Sequence, residues 1–139
     1  MKRIAIGLLL VIAVTVAIAS IHNILGAIER GVQRRTAADL RSIAFAVESY
    51  RSENGAYPTV DSVAALRVVI VPRYLKAMPT MDSWNNRFQV ESSTTRCAIY
   101  SRGKDGAGNN CMPGQNSPGD DELCAVNGVL TRYPKGIAP

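Results

Sequence analysis

The chain opens on an apolar block. From Ile4 to Ile21, 18 consecutive residues carry no charge, and only Gly7, Thr15 and Ser20 among them are not strongly apolar. About 20 such residues in a helix cross the ~30 Å hydrocarbon layer, so Ile4 to about Leu25 reads as a transmembrane helix. Lys2 and Arg3 precede the block, which by the positive-inside rule keeps the N-terminus cytoplasmic and places everything after Ile21 outside. A cleaved secretory signal is the competing reading, with Ala17-Ile18-Ala19 as the peptidase site. The uncleaved anchor fits better because the helical pattern continues past that site. Ile21, Ile24, Leu25 and Ile28 recur at three- and four-residue spacing, and Leu40, Ile43, Val47 and Tyr50 carry it on with no proline before Pro58.

One helix is therefore predicted from about Ile4 to about Ser52, roughly 70 Å at 1.5 Å per residue. Its middle, Glu29 to Asp39, holds Arg30, Arg34 and Arg35 and few large apolar residues, so it reads as a solvated neck or a surface covered by other copies. Its distal part sets Leu40, Ile43, Val47 and Tyr50 opposite Asp39, Arg41, Glu48 and Arg51, the stripe against which a small domain packs. Gly55 supplies the left-handed cap that ends it. A short helix around Val63–Val68 follows, capped by Asp61 or Ser62. Asp82-Ser83-Trp84-Asn85-Asn86 reads as a turn, with Trp84 packed beneath it against the helix stripe. Arg87–Glu91 and Cys97–Ser101 read as antiparallel strands, and a last strand falls near Glu122 to Val126; the tail after Val129 shows no periodicity. The resulting division is 1–25 cytoplasmic stub and anchor, 26–52 extended helix, and 53–139 a small head with a loop at 101–121.

Composition narrows the function. Without its anchor the chain is small for a self-sufficient core, so it calls for a metal, a disulfide or neighbours. The net charge of +5 comes from scattered basic residues with few interleaved aromatics, which argues against nucleic-acid binding. The single histidine, His22, sits at the membrane edge, so no Ser-His or Cys-His catalytic pair can form in the head. No phosphate-binding loop is present either, and neither an enzyme nor a small-molecule receptor is indicated. Cys97, Cys111 and Cys124 all lie on the exported side, where disulfides persist. Cys111 and Cys124 flank the long loop and would close it; Cys97–Cys124 is the competing pairing, and Cys97 in phase with Ile99 suits a buried thiol.

Taken in order, Leu40 to Tyr50, Asn54-Gly55-Ala56-Tyr57-Pro58, Tyr74-Leu75-Lys76 with Met78-Pro79, Asp82 to Phe88, Ser101-Arg102-Gly103-Lys104-Asp105-Gly106 and Gly119 to Leu123 resemble the major pseudopilin of type II secretion and its type IV pilin relatives. The resemblance implies an α+β fold, a long membrane-anchored helix packed on a small antiparallel sheet. It also implies a non-catalytic subunit that assembles with copies of itself or related subunits at the inner membrane, its head periplasmic or extracellular. The family leader ends at a Gly before an apolar residue, with a Glu at the fifth mature position. Here Gly7 precedes Leu8 and no acidic residue appears before Glu29, which reads as a solvated residue beyond the membrane.

The loop from Ser101 to Asp121, with glycines at 103, 106, 108, 114 and 119, is too long to hold itself by burial. Calcium suits such a loop, since it accepts six to eight oxygens in irregular geometry. By the resemblance, Arg102 would give its backbone carbonyl, Asp105 its side chain, and Asp120 or Asp121 a second carboxylate. A monomeric, membrane-tethered, calcium-dependent binding module is the alternative function.

Overall fold

The computed structural model describes residues 2–107, 111 and 122–134. Helix α1 runs Lys2–Asn54 and α2 Val63–Ile70; four strands follow, β1 Gln89–Ser92, β2 Cys97–Ser101, β3 Leu123–Val126 and β4 Val129–Arg132. The chain forms two compact units, Met1–Val32 and Gln33–Pro139. The first is helix alone. The second, the head, contains the rest of α1, α2 and one antiparallel sheet in the order β1-β2-β3-β4.

Local chemistry sets the element ends. Gly55, at φ 76°, donates its N–H to the Arg51 carbonyl at 2.8 Å, and the Asn54 amide donates to the Tyr50 carbonyl at 2.8 Å, so the last turn of α1 closes as predicted. Ser62, in extended backbone, accepts the Ala65 N–H at 3.3 Å and is the cap of α2. Pro72 stands just past the far end, where the preceding residue is biased toward extended backbone.

The stripe of α1 packs as its spacing requires. Leu40, Ile43 and Val47 are at most 1% exposed and meet Phe88, Leu66, Ile70, Ile99 and Leu123. Tyr50 and Trp84 are half-buried against the same cluster, Tyr50 with its ring edge-on to Tyr74 at 5.6 Å. Packing starts earlier than the apolar pattern indicates, however. Thr36 and Ala37 are fully buried, and the Thr36 hydroxyl accepts the Ser83 N–H at 3.1 Å. These two positions, expected in a solvated or copy-covered neck, belong to the head's own core; both side chains are small, so a search for large apolar residues passes over them.

A second correction concerns the tail. Rather than irregular chain after Val129, β4 pairs with β3 through the two-residue turn Asn127-Gly128, at φ 50° and 81°. Positive φ at both central residues is the requirement of a type I′ hairpin, and Asn-Gly is its strongest sequence signal. Gly128 is needed twice over, because a Cβ there would lie 3.2 Å from Glu48 Cβ. The turn is tied back onto β2: the Asn127 N–H donates to the Cys97 carbonyl at 2.9 Å, and its side-chain oxygen accepts the Cys97 N–H at 3.0 Å.

Strand β2 is buried along its whole length because both faces of the sheet are covered. Cys97 and Ile99 join the cluster under α1, whereas Ala98 and Tyr100 face the other way and form a smaller cluster with Cys111 and Cys124.

Tyr57, 4% exposed, donates its hydroxyl to Glu48 Oε2 at 2.7 Å, and Arg51 bonds the other oxygen at 2.7 Å. Burial first, and the Glu48 hydrogen bond second, push the Tyr57 phenol up to about 12. The phenol is thus harder to ionise in the folded head than in the unfolded chain, so its contribution is complete below pH ~10 and is lost as pH rises toward 12. Tyr57→Phe is expected to flatten the fall of the melting midpoint across that window; an unchanged slope would reject the linkage.

Candidate assembly helix and loop site

Within the first unit the large apolar side chains of α1 that the structure describes between Ile6 and Ile28 face outward. Twelve large apolar side chains between Ile6 and Ile28 are at least half exposed, from Ile12 at 50% to Leu9 at 65%. A helix that is hydrophobic all round requires cover. By length and composition α1 is able to cross a membrane, and its polar interruptions suit that medium: the Thr15 hydroxyl donates to the Ile12 carbonyl and the Ser20 hydroxyl to the Val16 carbonyl, each at 2.8 Å. His22 lies in this unit.

In the head, two sequence motifs that read as separate turn out to be one hydrogen-bonded assembly. Asp82 is 6% exposed. Its Oδ1 accepts the N–H groups of Trp84 at 3.0 Å and Asn86 at 2.8 Å, and its Oδ2 accepts the Ser101 hydroxyl. The Ser101 oxygen in turn accepts the Gly103 N–H at 3.1 Å, and the Asn86 amide donates to the Gly103 carbonyl at 2.7 Å. Asn85, at φ 68°, closes the turn. The Asp-x-Trp-Asn-Asn turn is therefore the platform on which the first limb of the loop rests. Asp82, Asn86 and Ser101 were visible only as turn and strand residues, because nothing in a single sequence signals a bond across 19 positions.

Of the residues assigned to calcium, Arg102 and Asp105 fall within the described chain, and Asp120 and Asp121 lie outside the described residues. Asp105 is exposed, and one carboxylate oxygen accepts the Ala107 N–H at 3.0 Å. Among the described residues no group of three or more His, Cys, Asp or Glu side chains is placed to hold a metal ion.

Cys111 and Cys124 form a disulfide with Cα atoms 5.9 Å apart, and Cys97 is a buried free thiol whose ionisation burial opposes. The Arg96 guanidinium donates to the Cys111 carbonyl at 2.9 Å, a second tie between loop and sheet. Cross-linking across 13 positions removes about 3 kcal/mol of denatured-chain freedom. Changing both Cys111 and Cys124 to Ser is expected to lower the head's stability by about that amount in a denaturant titration, while Cys97→Ser leaves it within about 1 kcal/mol.

A family model described as type II secretion system (T2SS), protein G, matches residues 23–115, about two thirds of the chain. The matched span includes the buried stripe of α1, α2, β1, β2 and the described first limb of the loop; β3 and β4 lie beyond it. No curated protein and no solved structure gives a match.

Proposed function

The chain belongs to the type II secretion system protein G family, that of the major pseudopilin, and from that premise we propose that it is a non-catalytic filament subunit assembling with its own copies and related subunits through α1. The observation that carries this is the exposure of twelve large apolar side chains of α1 between Ile6 and Ile28. Lipid covers such a surface in the inner membrane, and neighbouring helices cover it in a fibre. Lys2 and Arg3 support an N-terminus in the cytoplasm and a head in the periplasm or beyond.

Electron microscopy of sheared surface material tests the assembly: this chain is expected in a fibre. Persistent monodispersity in mild detergent would favour a tethered monomeric module instead. Protease treatment of spheroplasts tests the topology, since it should remove the head and leave the anchor in the membrane fraction.

Calcium at the loop forms part of the same proposal. Asp105, the Arg102 carbonyl and a carboxylate from Asp120 or Asp121 would hold it, and the bound ion would neutralise their charge and order the loop. An ion that binds only the folded state at ~100 times its Kd adds about 2.7 kcal/mol. Melting the full chain in detergent with calcium and then with a chelator is expected to give a higher midpoint with calcium. Equal midpoints, or an Asp105→Ala variant responding like the parent, would overturn the site.

A further inference from the structure

Seven of the eight residues of α2 are apolar, a composition suited to a helix covered on every side. Only Val63, Leu66 and Ile70 are buried, however; Ala64 and Arg67 are exposed and Val68 is 80% exposed. The outward face borders a groove of about 480 Å³ lined by apolar Val63, Ala64, Val68 and Val71 and by polar Thr80, Arg67 and Arg87. Among the described residues neither guanidinium has a hydrogen-bond or ion-pair partner through its side chain. The other arginines of the head that border polar partners are engaged: Arg51 with Glu48, Arg73 with Glu53, and Arg132 with Glu122.

We propose that this groove is a docking site for a segment of a different protein that carries carboxylates between large apolar side chains. The apolar lining would take the aliphatic or aromatic groups, and the two arginines would each bond a carboxylate as a planar fork. A second copy of this chain fits poorly. The chain is basic, at +5, and among the described residues of the head the carboxylates near Phe45 and Met81 are already committed: Glu48 to Tyr57 and Arg51, and Asp82 to its own turn. The inference is independent of filament assembly through α1.

Fluorescence anisotropy of the full chain in uncharged detergent micelles tests it, using a dye-labelled, end-blocked peptide of alternating Leu and Glu and its Leu–Gln counterpart, with empty micelles as baseline. The Glu peptide should bind about a hundredfold tighter than the Gln peptide, and Arg67→Gln and Arg87→Gln should each weaken it about tenfold, the scale of one charge-assisted hydrogen bond. Val68→Asp should abolish binding. All three positions are exposed, so melting midpoints should match the parent and confirm that the variants fold. Equal affinity for the two peptides, or affinity unmoved by the arginine changes, would overturn the proposal. So would a concentration-dependent self-association in sedimentation that Val68→Asp abolishes, since a second copy would then be the occupant.

Discussion

Leu40→Ala will destabilise the head by about 3 kcal/mol, lowering its melting midpoint by roughly 10–20 °C. Leu40 is fully buried at the centre of the stripe by which α1 enters the core, between Ala37 and Ile43 on one side and Ala44 on the next turn. Removing its branched end strips the transfer energy of three carbons and leaves a cavity that neighbours from a helix and a sheet cannot jointly collapse to fill. Phe45 is the matching control: it sits five residues on, carries more carbon and is 74% exposed. Phe45→Ala should move stability by no more than about 0.5 kcal/mol. Thermal unfolding of the full chain in detergent, followed by near-ultraviolet circular dichroism, compares the two. A Leu40 variant that melts with the parent would mean that α1 and the sheet do not fold as one body.

Asp82→Ala will cost roughly 4 kcal/mol, although a turn residue is not an obvious place for so large an effect. The carboxylate receives the Trp84 N–H, the Asn86 N–H and the Ser101 hydroxyl, and no water replaces it readily at 6% exposure. Each donor left without a partner costs about 1–3 kcal/mol. Asp82→Asn keeps one acceptor oxygen but points an amide at a donor, so it should fall between parent and alanine. Ser101→Ala strips Oδ2 of its donor and the Gly103 N–H of its acceptor but leaves Oδ1 with both its N–H groups, and should cost about 2 kcal/mol. Urea titrations rank the three; a loss below about 1.5 kcal/mol for Asp82→Ala would show that the turn holds its shape without the carboxylate.

The two-part plan was legible because its signals are periodic. Eighteen uncharged residues and the Leu40-Ile43-Val47 stripe each repeat often enough to outweigh local noise. The cap at Gly55 was legible for a different reason, since it depends on one residue's own geometry, and that of α2 was narrowed to Asp61 or Ser62 in the same way. What escaped was short or distant. Strand β4 has four residues with two of them exposed, so alternation had little length in which to appear, although Asn127-Gly128 marked the turn that creates it. Thr36 was hidden because its burial rests on a hydrogen bond from Ser83, 47 positions away. The network at Asp82 and the groove beside α2 exist only after residues far apart in the chain meet.

Alternation along β2 and β3 has a consequence for the fidelity of oxidation. Tyr100 stands opposite Cys124 across the two strands, and Ile99 opposite Ala125. Cys124 therefore emerges on the sheet face that carries Cys111, and Cys97 on the opposite face beneath α1. Bonding Cys97 to Cys124 would demand a one-residue slip of a strand, which would turn the whole of its buried set inside out. A chain with three thiols has a choice among partners when it oxidises, and here the pleat makes that choice. The odd thiol is set aside by the thickness of a sheet.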